Sequence, residues 1–217
     1  MIRHDLLLLA IWDRVDTLSV VTTGSATLGA TGSTYTRAAG SFITDGFAPG
    51  METTVSWSVQ RRVITRVEAL TLTVSEAPTA SSETAGRTLS VAKPSRFSHE
   101  GVHFDPTQGA PWFEDVLVSG PQRQLTTGTS EATIEFDPVY RLWVHVPENV
   151  GSLAAYKYVD ALLLLFKSNT SFSLSNGQSV HVRTDAGPFI GPLTHNRPGF
   201  MTVRVDINLR QHLLNAA

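Results

Sequence analysis

Two histidines and a glutamate near the middle of the chain form its most specific chemical pattern. His99, Glu100 and His103 match the H-E-x-x-H pattern of zinc hydrolases. In that pattern both histidines bind zinc from one helix face, and the glutamate acts as a general base. Pro94 and Pro106 enclose the segment, and its internal glycine costs a helix about 1 kcal/mol. We therefore expect an extended segment here and keep a zinc-dependent hydrolase as an alternative hypothesis.

Other groups that could do chemistry are scattered along the chain. The remaining histidines have no metal-ligand spacing, and the G-x-S-x-G, Walker and dinucleotide-binding patterns are absent from the sequence. Gly24, Gly29 and Gly32 lie in a β-rich segment, so we interpret them as turn glycines. The lack of cysteine excludes disulfides and thiol nucleophiles. We expect a protein that is not an enzyme and has no catalytic residue, cofactor or metal.

The composition favours sheet over helix and shows no overall basic field. The chain has 217 residues, of which 25 are Thr, 21 Val and 7 Ile, and its net charge is −2. β-Branched residues favour strands, and the near-neutral charge disfavours a nucleic-acid-binding protein. Positive charge comes mainly from arginine, which suits fixed ion pairs and interfaces. The longest apolar run, Leu6–Trp12, is too short to span a bilayer, so we expect no membrane partner.

Apolar periodicity predicts two helices and a C-terminal sheet. Residues 2–17 and 153–166 have helical spacing, and the second helix is apolar on nearly all sides. Alternation in the C-terminal part predicts the strands Trp112–Val118, Val139–Val146, Ser179–Thr184 and Met201–Leu209. The polar segment Ser119–Asp137 between two of them is interpreted either as a partner-contacting arm or as a solvated hairpin extension.

The segment between the first helix and the C-terminal part has a different amino-acid composition. Residues 19–92 are rich in Thr, Ser and Gly, with short alternating runs separated by turn signals, including the polar stretch 77–86. We predict an α+β fold, with an antiparallel sheet and two helices packed on one face, plus an inserted small all-β barrel or sandwich. The α+β domain would be discontinuous, formed by residues 1–18 and 93–217, and residues 19–92 would form the insertion.

Several C-terminal motifs resemble one known family. The segment Phe104–Trp112 has the pattern F-x-P-x-x-G-x-P-W, and Tyr140–Gly151 is a strand ending in V-x-x-P-x-x-x-G before a helix that closes on Leu165-Phe166. Together with a short N-terminal helix, these motifs resemble the tail-terminator (tail-completion) proteins of long-tailed bacteriophages. Tyr35–Glu52 resembles a small β-barrel module of phage tail and neck proteins.

The resemblance implies a structural virion protein in the tail or neck, assembled in the bacterial host cytoplasm. Members form a ring, usually a hexamer, at the head-proximal end of the tail tube, where they stop tube polymerisation. The implied partners are other copies of the chain, the tail tube protein and a head-completion or connector protein. DNA would pass through the lumen without sequence-specific binding, which a near-neutral protein would permit.

We expect the subunit and tube contacts to come from the polar segment and the second helix. A helix that is apolar on too many sides for one sheet can contact a neighbouring subunit. The candidate interface residues are Arg123, Gln124, Leu125, Thr127, Glu131, Tyr156, Lys157 and Asp160. A second alternative hypothesis is a carbohydrate- or receptor-binding tail accessory protein built on residues 19–92.

Overall fold

The protein folds into two sheets, three α-helices and a short 3-10 helix (Glu148–Val150) across the part that the structure describes. The structure is a computed structural model, and it describes residues 4–99, 102, 104–106, 109–125 and 131–216. The α-helices are α1 (His4–Asp16), α2 (Phe42–Asp45) and α3 (Leu153–Leu165). The first eight strands are β1 (Ser19–Thr22), β2 (Ala26–Thr31), β3 (Thr34–Arg37), β4 (Glu52–Val55), β5 (Ser58–Val67), β6 (Thr71–Val74), β7 (Ser81–Arg87) and β8 (Leu89–Ala92). The others are β9 (Arg96–Ser98), β10 (Trp112–Val118), β11 (Gln122–Gln124), β12 (Glu131–Phe136), β13 (Val139–Pro147), β14 (Ser171–Ser173), β15 (Ser179–Val182), β16 (Phe189–Arg197) and β17 (Phe200–Ala216).

The long strand β17 organises a nine-stranded sheet. β12 and β13 pair with it antiparallel in one continuous register, from Glu131 opposite Ala216 to Pro147 opposite Phe200. The near half of this sheet contains β9, β10, β13, the first part of β17 and β16. The far half contains β11, β12, the last part of β17, β15 and β14. β9 pairs with β10 in parallel, so the sheet is mixed rather than wholly antiparallel as predicted.

Both long helices lie against one face of the sheet. α3 contacts β13 and β17, and α1 contacts α3. The alternating apolar residues of β17 lie on the face of the sheet that the helices cover, and Val203, Val205 and Ile207 are fully buried there. Arg14 of α1 donates two hydrogen bonds, of 3.0 and 2.6 Å, to the Leu165 carbonyl oxygen at the end of α3. The predicted α+β arrangement with two helices on one face is therefore confirmed.

Residues 19–92 form a sheet of their own. Its order is β1-β8-β4-β5-β6-β3-β2-β7, with antiparallel pairs throughout, and its interior side is filled by Leu28, Tyr35, Leu72 and Leu89. A curled all-β unit of this kind agrees with the small β module in the predicted fold class. Its status as an insertion into a discontinuous domain stays a prediction.

The two sheets share one hydrophobic core through α3. That core continues from Leu28 and Met51 of the first sheet to Tyr158 and Leu162 of α3. α3 also contacts β1, and the Glu52 backbone N–H donates a 3.2 Å hydrogen bond to the Tyr158 hydroxyl oxygen. Burial raises the pKa of Tyr158 above its ordinary value, so the hydroxyl stays neutral. The helix predicted to be apolar on many sides is thus covered from two directions.

Three polar segments form strands that the sequence analysis assigned to turns or loops. The stretch 77–86, predicted as a turn region, contains most of the edge strand Ser81–Arg87. Gly29, predicted in a turn, lies inside β2, where a Cβ atom would come within 2.9 Å of the Glu83 backbone nitrogen. The segment Ser119–Asp137 contains β11 and β12 and is a hairpin extension. These strands form because they pair with neighbouring strands, and the polarity of the local sequence does not predict such pairing.

None of the described helices is long and apolar enough to cross a membrane.

Candidate functional site

The hairpin of β11 and β12 carries the first group of predicted interface residues. Arg123 and Gln124 lie on β11 and are exposed, and Leu125 follows with 43% of its surface exposed. β11 pairs antiparallel with β12, with Arg123 opposite Glu135. Of the other predicted residues, Thr127 lies outside the described residues and Glu131 is described by its backbone alone, at the start of β12. The hairpin is therefore an edge extension of the far half of the sheet.

An ion-pair network holds the base of this hairpin. Asp137, between β12 and β13, accepts hydrogen bonds from Arg183 and Arg210, each with a nitrogen 2.9 Å from a carboxylate oxygen. Arg210 also lies 3.4 Å from Glu135, and Arg183 donates to Asp185. These hydrogen bonds raise the pKa of both arginines and lower the pKa of Asp185 to about 2. Arginine forks are well suited to fixing such carboxylates.

The outward side of α3 carries the second group of predicted residues. Tyr156 is 42% exposed, Asp160 is exposed and Lys157 is half-buried. Leu153 and Leu164 extend the same side of the helix and are 55% and 77% exposed. We call these five residues the helix surface. Leu153 and Leu164 lie about three turns apart on this side, with Tyr156, Lys157 and Asp160 between them.

The structure does not bring the two groups of predicted residues into one described contact. Arg123 belongs to the far half of the sheet, whereas Tyr156 lies near the start of the helix that packs on β13, β17 and β1. Sequence reasoning also missed Leu153 and Leu164, although the all-round apolarity of α3 was a signal for them. The candidate site therefore consists of two separate surfaces on one subunit.

His99 of the zinc-binding pattern pairs with a buried carboxylate. Its Nδ1 atom lies 3.1 Å from Asp115 Oδ1, while Trp12 Nε1–H and the Tyr140 hydroxyl donate to Asp115 Oδ2 at 2.7 and 2.8 Å. The His99 ring lies between Trp12 and Phe97, with ring centroids 4.1 and 4.5 Å away. Burial and the neighbouring carboxylate raise the pKa of Tyr140 well above its ordinary value. These residues join α1, β9, β10 and β13.

This arrangement does not favour a zinc site. Glu100 and His103 lie outside the described residues, and the residues that the structure describes contain no group of three or more His, Asp or Glu side chains that could hold a metal ion. The Val102 backbone N–H donates to the His99 carbonyl oxygen at 3.0 Å. His99 is instead part of the packing between α1 and the sheet edge.

A buried histidine, His145, lies on the opposite face of the near half. The His145 ring stacks on Trp112 at 3.7 Å, and its Nδ1 atom lies 2.9 Å from the Thr202 hydroxyl. Its Nε2 atom lies 3.3 Å from Glu114, which also accepts hydrogen bonds from Arg197. Burial lowers the pKa of His145, and the nearby His145 and Arg197 side chains lower the pKa of Glu114. Another histidine pair, His181 and His212, has ring centroids 6.4 Å apart.

Comparisons with known proteins support one family. The family of phage tail terminator proteins matches residues 70–206, which is more than half of the chain and begins inside the first sheet. The comparison with curated proteins found no match. One solved structure without a descriptive name is 19% identical, covers 56% of this chain and 81% of its own, and has a TM-score of 0.43. On the family match, the chain belongs to the phage tail terminator family, and its role is a structural one in the tail of the virion.

Proposed function

We propose that this protein forms a closed ring, a hexamer by its resemblance to the family, at the head-proximal end of the phage tail tube. There it ends tube polymerisation and offers its other side to a head-completion or connector protein. DNA passes through the lumen without sequence-specific binding, and assembly takes place in the bacterial host cytoplasm. The protein acts through its surfaces and has no catalytic role.

The observation that carries this proposal is the helix surface. Leu153 and Leu164 project from a helix whose other sides are already packed against both sheets. Exposing large leucines to water is unfavourable by roughly 1.5–3 kcal/mol for each fully exposed side chain. Burial against a neighbouring subunit would recover that free energy. Contacts between unlike surfaces, repeated by rotation, close a ring.

Removing the apolar character of the helix surface tests this role. We expect the purified protein to form rings whose mass, measured by light scattering, is a multiple of the 23.5 kDa chain. Leu164→Glu should shift the ring towards the monomer at the same concentration, because a carboxylate in a dry contact is costly. Lys167→Glu, an exposed change just beyond the same helix, is the matched control and should leave the mass unchanged. A wild-type chain that stays monomeric, even beside tail tubes, would contradict the proposal.

Neither alternative function gains support from a specific observation. His99 is engaged by Asp115 and two aromatic rings, which leaves the zinc hydrolase without a favourable geometry in the described residues. For a carbohydrate-binding accessory protein, residues 19–92 provide a sheet whose edge strand β7 is polar and exposed, but no feature specific to sugars.

A further inference from the structure

The far half of the nine-stranded sheet ends in two short strands on opposite sides of the subunit. Across this half the order is β11, β12, β17, β15 and β14. Within the described residues, β11 and β14 each pair with one strand and leave their other edge unpaired by a strand. Edge N–H and C=O groups of this kind are templates for adding a further strand.

The two edge strands match in length, direction and polarity. Each has three residues, Gln122–Gln124 in β11 and Ser171–Ser173 in β14. Every pairing across this half is antiparallel, so β11 and β14 both run in the same direction as β17. If the strands run along a ring axis, rotation about that axis keeps this direction. An edge-to-edge contact between neighbouring copies would then be a parallel pair.

We propose that β11 of one subunit pairs in parallel with β14 of the next copy of this chain, so that the far half of the sheet continues across the subunit boundary. This inference rests on the proposed ring and identifies the backbone edges that close it. Because β11 and β14 are different edges of the subunit, the contact between them is heterologous and can repeat around a ring. Pairing two copies of the same edge would instead stop at a dimer.

The side chains beside the two edges are complementary. Gln122 lies opposite Phe136 and Gln124 opposite Ile134, so both glutamines are on the helix-facing side of the sheet. Below β14 on that side, a groove of about 370 Å³ separates the strand from α1. Its lining includes Leu6, Leu9, Asp13 and Phe172. A glutamine entering this groove can place its methylenes on the leucines and donate its amide N–H to the exposed Asp13 carboxylate.

The near half of this sheet has edges at β9 and β16, of which β16 is less suited to strand addition. β16 is longer, but its pairing with β17 has two register irregularities, and Pro192 within it lacks an N–H group. Proline and bulges are common means of protecting a sheet edge. The short, regular edges of β11 and β14 have neither feature.

Engineered disulfides test the pairing, because the natural chain contains no cysteine. Arg123 lies opposite Glu135 and Ser171 opposite His181, and both of these partners point away from the helices. Their Cβ atoms would therefore share one face in the proposed pair, at a separation that a disulfide can bridge. The double variants are Arg123→Cys with Ser171→Cys, and Arg123→Cys with Ser173→Cys for the alternative register. Val59→Cys with Ser171→Cys is the matched control, since Val59 is 97% exposed on the other sheet.

Light scattering and a non-reducing gel, run on the same oxidised samples, separate the outcomes. We expect ring mass for all variants, and a covalent ladder up to the ring size for one of the two double variants alone. Rings without such a ladder would overturn the edge pairing while leaving the proposed function intact. Covalent dimers from Arg123→Cys alone would also overturn it, because they indicate pairing of like edges. A chain that is monomeric before oxidation would overturn both proposals.

Discussion

At the scale of single residues, Asp115 is a buried carboxylate with several hydrogen-bond partners. Its carboxylate is almost fully buried and accepts hydrogen bonds from Trp12 and Tyr140, with His99 also in contact. Removing the charge while keeping the shape leaves buried donors without a suitable acceptor, and each such loss costs about 1–3 kcal/mol. This residue therefore fixes α1 and the chain at His99 onto β10.

We predict that Asp115→Asn lowers the free energy of unfolding by about 3 kcal/mol, measured by urea denaturation. The amide cannot accept as the carboxylate does, and its own N–H₂ group would face donors. Asp160→Asn, an exposed change on α3, should alter the free energy by less than about 0.5 kcal/mol. A loss below about 1 kcal/mol for Asp115→Asn would show that the buried carboxylate is not a structural anchor.

His145 makes stability depend on pH in a defined direction. Burial lowers the pKa of its imidazole in the folded protein, although Glu114 and Arg197 face it and Thr202 contacts Nδ1. The unfolded chain therefore takes up a proton first as the pH falls below the ordinary histidine pKa of about 6.5. Proton uptake by the unfolded state lowers the free energy of unfolding. The contribution of His145 to the free energy of unfolding is therefore fully present when the pH is above the ordinary histidine pKa of about 6.5, and it declines as the pH falls below that value.

Comparing wild type with His145→Gln at pH 7.5 and pH 5.5 tests this linkage. Wild type should lose more free energy of unfolding between the two values than the variant, whatever the absolute stability of the variant. The other histidines are common to both proteins, so their titration cancels in the comparison. Equal losses would mean that the folded and unfolded states bind the proton of His145 equally well.

At the scale of elements, α3 has buried leucines and exposed leucines, and the proposed assembly contact depends on the exposed ones. Leu162 is fully buried in the core, whereas Leu164, two positions later, is 77% exposed. We predict that Leu162→Ala lowers the free energy of unfolding by about 2–5 kcal/mol, measured by urea denaturation of dilute protein. Leu164→Ala should change it by less than about 0.5 kcal/mol. Similar losses at both positions would show that Leu164 supports the fold rather than a contact between subunits.

The elements differ in how well the sequence predicts them. β17 was predictable because Val203, Val205 and Ile207 alternate with polar residues, and α3 because of its long apolar periodicity. β7 and β11 were not, since Ser81–Arg87 and Gln122–Gln124 are polar strands stabilised by a neighbouring strand on one side. Both lie at sheet edges, where backbone pairing forms a strand without an apolar pattern. The sequence motifs also led to the family, which the match confirms.

The sequence predicts which segments of the chain carry the candidate surfaces, but it does not predict the strand pairing or the exposure of their individual residues. Sequence polarity singled out the region of Arg123, and the apolar helix singled out Tyr156, but neither pattern contains the pairing of β11 or the exposure of Leu164. Those depend on which neighbours cover each side. His99 shows the converse: its motif is specific in sequence, yet the fold places it against Asp115 and Trp12.

At the scale of the whole molecule, the subunit has two kinds of surface that we propose as contacts. α3 holds the two sheets together through Tyr158 while exposing Leu153 and Leu164 on its other side. The far half of the nine-stranded sheet ends in β11 and β14, which are short edges on opposite sides. One chain with unlike surfaces on opposite sides can form a ring and stack on the end of a tube.

The most direct test of this account is the length of tail tubes assembled with and without the protein. Purified tail tube protein of the same phage would be polymerised alone, with the wild-type chain, and with Leu164→Glu, and tube lengths would be measured by negative-stain electron microscopy. The account predicts that the wild-type chain stops elongation and leaves a ring at one end of each tube, whereas Leu164→Glu does so weakly. Tubes of unchanged length without added density at either end would contradict it.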